Sequence, residues 1–191
     1  DAQQAEEVSE YGVLEAPVEL PPPSLTLPAG SFSLDGLVVM NLSKGNIGEP
    51  ISVSPDFWYG LSNEITLGLA HSFYGTTGMW GMDMRGGPQG RSLCLSAESG
   101  NCPKVYGNFS VLGRFQAWAG RGIAVAGTAG LVANSIDPFA LSVKLGAHLR
   151  GRVSNSVRVD FIPSIFIGVT ERQTNREDLT VPVTVSYTLN P

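Results

Sequence analysis

The sequence is poor in the residues on which most catalytic and metal sites depend. It has two histidines and two cysteines in 191 residues, no Gly-x-Ser-x-Gly setting, and no glycine-rich phosphate loop or Ca²⁺-binding loop. We therefore predict a protein that is not an enzyme, with no catalytic residue, no cofactor and no metal site. A lipid-modifying enzyme is the alternative, with His71 or His148 beside a serine and an aspartate.

Long hydrophobic runs are also lacking, which excludes a membrane-spanning helix. Such a helix needs about 20 apolar residues in succession, and the best candidate, residues 123–133, contains Gly127, Thr128 and Gly130. A tilted membrane-spanning strand needs only about 9–11 residues. The absence of a hydrophobic helix therefore leaves a membrane location open.

Charged residues are few, at 15% of the chain, and unevenly distributed. Residues 1–30 hold six of the 17 acidic residues and no lysine or arginine, so the remaining 161 residues have 12 basic and 11 acidic groups. With no basic patch among aromatics, nucleic-acid binding is not expected. Residues 1–30, which include three consecutive prolines, are predicted to be a tail that is disordered or ordered by a partner.

In place of these features, the sequence has eight stretches in which apolar and polar residues alternate. In residues 139–150, for example, Val143 and Leu145 alternate with Ser142 and Lys144. A period of two predicts β-strands. The predicted strands are residues 32–43, 51–60, 64–73, 105–118, 123–133, 139–150, 157–170 and 179–189.

The connections between these strands alternate in length. Compact turns follow the second, fourth and sixth strands, at residues 61–63, 119–122 and 151–156. Mostly longer connections follow the other strands, and residues 74–104 form the longest. This pattern is typical of bacterial outer-membrane barrels that have both termini in the periplasm and their long loops outside the cell.

We call the polar positions of the alternation the polar series and the apolar positions the apolar series. The composition of the polar series favours a fold in which the polar face of the strands is buried. This series carries many Gly and Ala residues and, among the Asp, Glu, Lys and Arg residues of the strands, four of each sign, which suits the crowded interior of a narrow eight-stranded barrel. These charges should pair, because an unpaired buried charge costs several kcal/mol. The alternative is a soluble β-sandwich or barrel with the apolar face as its core. The predicted lumen charge network is Asp35, Asp56, Glu64, Arg114, Lys144, His148, Arg150, Arg158 and Asp160.

Three features of the strands need a separate explanation. Pro55, Pro163 and Pro182 each lack a ladder donor, so we predict bulges or breaks at these positions. Among the His, Lys, Arg, Asp and Glu residues of the strands, His71 is the only one expected on the apolar face. The apolar residues on the polar series are Leu37, Val39, Trp58, Leu112, Trp118, Ile162 and Phe166.

Strand number, turn pattern and charged interior together resemble the small outer-membrane β-barrels of the OmpA, OmpX and OmpW type. The resemblance is architectural and covers residues 31–189. It implies an all-β, eight-stranded antiparallel up-and-down transmembrane β-barrel in the outer membrane of a Gram-negative bacterium, surrounded by lipid. The chain departs from the family at its end, where members commonly have an aromatic residue and Tyr187 is the nearest substitute.

The longest loop holds both cysteines and is the predicted contact surface for an extracellular partner. Cys94 and Cys102 are expected to form a disulfide, because a pair of cysteines in a secreted loop usually does. Met and Trp are favoured at recognition surfaces, although the same residues could fold over the barrel mouth or into lipid. The predicted contact residues are Tyr74, Met79, Trp80, Met82 and Met84.

These features predict a non-enzymatic outer-membrane barrel with a structural, anchoring or surface-interaction role and a lumen closed by charged side chains. Residues 1–30 would form a periplasmic tail able to bind a periplasmic or outer-membrane protein. A narrow pore or small-molecule transport channel is the alternative.

Overall fold

The computed structural model describes residues 24–40, 42, 51–79, 93–94 and 107–189. These residues form one antiparallel sheet and a short helix, α1 (Phe73–Thr77). Among them, no helix has the length and apolar character needed to span a lipid bilayer. The strands are β1 (Phe32–Met40), β2 (Ile51–Gly60), β3 (Ile65–Ala70), β4 (Leu93–Cys94), β5 (Phe109–Gly120), β6 (Ile123–Ile136), β7 (Phe139–Arg152), β8 (Val157–Phe161), β9 (Ser164–Gly168), β10 (Asp178–Thr180) and β11 (Val183–Tyr187).

The sheet is an antiparallel meander, with strand order β1-β2-β3-β5-β6-β7-β8-β11. Strand β9 pairs with β7 and β10, and the two-residue strand β4 pairs with β2. Each of the eight predicted strands corresponds to a strand, or to a pair of strands separated by a short break. The all-β, antiparallel fold predicted from the alternation is therefore confirmed.

The two ends of the sheet are not joined by a ladder in the described residues. Strand β1 pairs with β2, strand β11 pairs with β8, and no pairing links β1 to β11. The closed ring of eight strands expected from the sequence is therefore not formed by these hydrogen bonds. The sheet is nevertheless curved, because residues from β2, β3, β5, β6 and β9 pack together in one buried cluster on the same face.

Burial follows the alternation, with the polar series inside and the apolar series outside. Ser110 in β5 has no exposed surface, whereas its neighbour Val111 is 52% exposed. In β7, Lys144 is 3% exposed and Leu145 is 47% exposed. We call the buried side of the sheet the concave face and the exposed apolar side the convex face.

Most of the apolar residues on the polar series have a structural explanation. Leu112, Phe166 and Trp58 pack on the concave face in a small hydrophobic cluster that also contains Ala70 and Val132. Gly68 makes room for Trp58, because a Cβ at this position would overlap the indole ring. Leu37 and Ile162 are half-buried, and the side chain of Val39 lies outside the described residues.

Trp118 does not lie on the polar face as the alternation predicts. A β-bulge between Gln116 and Trp118 leaves Ala117 unpaired with β6, so the alternation changes phase at this point. Trp118 is consequently 52% exposed on the convex side, and its ring lies where a Cβ at Gly120 would be.

Two of the three predicted proline irregularities are confirmed. Pro163 falls in the gap between β8 and β9, and Pro182 falls in the gap between β10 and β11. The prediction is wrong for Pro55, where β2 continues in unbroken register with β1. On its other side, β2 pairs with β4 only at Ser52 and Val53 and with β3 only from Phe57 onward, so none of the described residues is a ladder partner of Pro55 there.

Candidate functional site

Most of the predicted charged residues lie on the concave face. Three of them bind the carboxylate of Asp160 in β8. Oδ1 of Asp160 accepts hydrogen bonds from Nε2 of His148 and Nε of Arg150, both at 2.7 Å. Nε of Arg158 lies 3.2 Å from Oδ2. Three neighbouring side chains therefore share one buried carboxylate, which is the geometry of a structural ion cluster.

Arg114 and Lys144 lie on the same face, but their hydrogen bonds go to backbone carbonyls and not to Asp160. Arg114 donates to the carbonyl oxygen of Leu25 at 2.9 Å, and its guanidinium carbon lies 5.2 Å from the centroid of the Trp58 ring. Lys144 donates to the carbonyl oxygen of Thr76 at 2.6 Å. Both cations thus bind backbone carbonyls from segments that fold onto the sheet, and they hold those segments in place.

Asp56 is buried but contacts no basic residue of the network. Its carboxylate accepts hydrogen bonds from the backbone N–H groups of His71 at 2.7 Å and Ser72 at 2.8 Å, and from the Ser72 hydroxyl. Ser72 is the N-cap of α1. Asp56 therefore anchors the turn into this helix. His71 is 6% exposed rather than on the apolar face, because β3 ends at Ala70 and the chain turns inward.

The remaining two acidic residues of the predicted network lie away from the cluster. Asp35 in β1 is exposed and accepts a hydrogen bond from Ser33. Glu64 is exposed in the turn before β3 and accepts one from Ser62 at 3.0 Å. The network is therefore smaller than expected and more basic, with Asp160 as its only carboxylate among the described residues.

A segment assigned to the N-terminal tail docks against this face. We call residues 24–31 the strap. The N–H of Leu25 donates to Oε1 of Gln116 at 2.7 Å, and the N–H of Leu27 donates to Oγ1 of Thr66 at 2.8 Å. Together with the bond from Arg114 to the carbonyl of Leu25, these contacts provide hydrogen-bond partners for the backbone of a segment that belongs to no strand.

The strap also buries apolar surface. Leu25 is 4% exposed and packs against three alanines of β5 and β6, Ala119, Ala124 and Ala126. Gly60 provides the close approach, because a Cβ there would overlap the carbonyl oxygens of the strap. Small residues are therefore needed on the polar series at this end of the sheet, because the strap packs directly against them.

Leu25→Ala should lower the free energy of unfolding by about 2 kcal/mol, the low end of the range for a buried leucine, because a strap at the end of the sheet can relax. Chemical denaturation would measure this loss. The matched control is Leu27→Ala, since Leu27 is only half-buried and should cost less. Equal effects of the two substitutions would mean that Leu25 does not anchor the strap.

The far end of the concave face is covered by two other segments. Thr76 of α1 shares a hydrogen bond of 2.8 Å with Ser110, in addition to its contact with Lys144. From the connection between β9 and β10, Asn175 donates to the carbonyl oxygen of Leu141 at 2.8 Å and accepts from Ser142 at 2.9 Å. Chain segments therefore occupy both ends of this face.

The predicted contact loop is described only in part. Tyr74 is 39% exposed in α1, and Met79 is half-buried just after it. Trp80, Met82, Met84 and Cys102 lie outside the described residues, and Cys94 is described by its backbone pairing with Ser52 in β2. The disulfide between the two cysteines stays a prediction.

Two observations bear on chemistry at this face. In the described part of the chain, no group of three or more His, Cys, Asp or Glu side chains is arranged to hold a metal ion. Nε2 of His148 binds Asp160, and its Nδ1 is buried with no hydrogen-bond partner among the described residues. The arrangement is thus a His–Asp pair without a hydroxyl nucleophile bonded to the imidazole.

Comparison of the chain with protein-family models, with curated proteins and with solved structures found no match.

Proposed function

We propose that this protein is a non-enzymatic outer-membrane β-barrel with a structural, anchoring or surface-interaction role and a closed interior. The proposal includes closure of the sheet between β1 and β11, because an open sheet edge is not stable in the hydrocarbon of a bilayer.

The observation that carries the proposal is the inverted burial of the sheet. Soluble monomers rarely expose contiguous apolar patches larger than a few hundred Å². Here every strand position across the meander contributes at least one exposed large apolar side chain, as expected for a surface that faces lipid. One such residue from each position, in chain order, is Leu34, Phe57, Leu69, Val111, Leu131, Leu145, Ile165 and Val185.

The buried charges of the concave face also support the proposal. Lys144 and Asp160 are 3% and 5% exposed, and both make charge-assisted hydrogen bonds to groups on that face. A soluble β-protein would place its apolar series there and leave such charges in water. Because the strap and α1 occupy opposite ends, the interior is better suited to holding the sheet together than to conduction.

Migration on gels tests membrane insertion. We expect the detergent-extracted full-length chain to migrate faster in unheated than in heated sodium dodecyl sulfate samples, because a folded barrel resists the detergent. We also expect it to remain with membranes after a urea wash. A monomer that is stable in plain buffer, with no heat-dependent shift, would contradict the proposal.

Planar-bilayer recording separates a closed barrel from a pore. We expect no steady conductance, because chain segments fill both ends of the concave face. Steady conductance that changes on Arg114→Ala or Asp160→Ala would instead favour a narrow channel. Lipid turnover that is lost on His148→Ala would favour an enzyme.

A further inference from the structure

Four arginines gather at the end of the sheet where the strap enters. Arg121 lies in the turn between β5 and β6, Arg150 and Arg152 end β7, and Arg158 lies near the start of β8. We call these four residues the arginine rim. They are adjacent because β5, β6, β7 and β8 are successive neighbours in the sheet.

The rim concentrates positive charge. Arg152 and Arg158 are direct cross-strand partners, an arrangement of like charges that is destabilising by itself. The backbone N–H of Arg152 donates to the carbonyl oxygen of Gly122 at 2.6 Å, which places it beside the turn that holds Arg121. The single buried carboxylate of Asp160 is shared by Arg150 and Arg158, so it does not balance the charge of the four arginines.

The strap leads the N-terminal segment to this rim. Arg150 donates from a terminal guanidinium nitrogen to the carbonyl oxygen of Ser24 at 2.9 Å, so the chain preceding Ser24 starts next to the arginines. Residues 1–23 contain six acidic residues and no lysine or arginine. Proline-rich chain spans about 3.1 Å per residue, which puts Glu19 within about 15 Å of Ser24.

We propose that the acidic segment, residues 1–20, docks on the arginine rim of its own chain. Opposite net charges attract across this end of the sheet, and a short tether raises the local concentration of carboxylates to the millimolar range. Docking places carboxylates beside the adjacent guanidinium groups of Arg152 and Arg158, and it holds the strap against the concave face. The proposal does not depend on insertion of the sheet into a bilayer.

Cleavage after glutamate in the full-length chain tests this docking. At low ionic strength, a glutamyl endopeptidase should cut the segment about five- to tenfold more slowly than at 0.5 M NaCl, where exposed charges are screened. A tail peptide of residues 1–20 provides the salt control for the protease itself. Arg121→Gln should remove most of the protection, whereas Arg176→Gln, an exposed arginine outside the rim, should leave it unchanged.

A variant substituted outside the sheet serves as a control for misfolding of the arginine variant. Glu15→Gln/Glu19→Gln leaves every strand intact and should speed cleavage after Glu6, Glu7 and Glu10. Cleavage that is equally fast in all variants and at both salt concentrations would overturn the proposal. It would also be overturned if Arg121→Gln left cleavage unchanged but weakened binding to phosphatidylglycerol vesicles, because the rim would then be a site for lipid phosphate.

Discussion

On the proposed insertion into a bilayer, Leu145→Arg should lower the free energy of unfolding in lipid vesicles by about 2–4 kcal/mol, the cost of a cation on the lipid-facing side of a barrel near the bilayer centre. Leu145 lies midway along β7, is 47% exposed on the convex face, and is flanked by Ala129 and Ile165 on the neighbouring strands. Reversible urea unfolding in phosphatidylcholine vesicles would measure the loss.

The control for this prediction is the same substitution at the end of a strand. Ile123 begins β6 and is 49% exposed, so Ile123→Arg should cost only about 0–1 kcal/mol near the membrane interface. The comparison isolates depth in the membrane, because both residues are exposed to a similar extent. If both substitutions were neutral, the convex face would be in contact with water.

Asp160→Asn should destabilise the protein by about 3 kcal/mol, because removing one partner of a buried ion cluster leaves uncompensated charge. The substitution preserves the size of the side chain but leaves Arg150 and Arg158 without a carboxylate. The estimate is at the low end for buried pairs, since the side chain of Arg158 is 49% exposed. Denaturant unfolding in detergent micelles would measure it.

Asp35→Asn is the matched control. Asp35 is exposed and accepts one hydrogen bond from Ser33, so the loss should stay within about 0.5 kcal/mol. A cost below 0.5 kcal/mol for Asp160→Asn as well would show that the cluster does not contribute to stability. An equally large cost at both positions would mean that Asp35 also has a charged partner in the folded protein.

The strands could be predicted from sequence because their signal is local. In residues 139–150 the exposed and buried positions follow the apolar and polar series, and the observed strand β7 extends the prediction by only two residues. The bulge at Ala117 could not be predicted in the same way. One extra residue changes the phase of the alternation, and nothing in the composition of that stretch marks where it falls.

The hydrogen-bond partners of the side chains on the concave face were harder to predict than which side chains lie on that face. The alternation predicts that Asp160 is buried. It does not predict that Asp56 binds the turn before α1, because a helix of only five residues has no recognisable sequence pattern. The strap was missed for a different reason. Its contacts with Gln116 and Thr66 join residues far apart in sequence, and its few residues carry no periodicity.

The strap also sets an order in which the molecule can assemble. It is among the earliest described segments to be synthesised, yet Leu25 binds a residue 91 positions later and Ser24 binds one 126 positions later. Closing such long loops is slow and yields no contact until the distant strands exist. The strap can therefore take its final place only after β7 has joined the sheet.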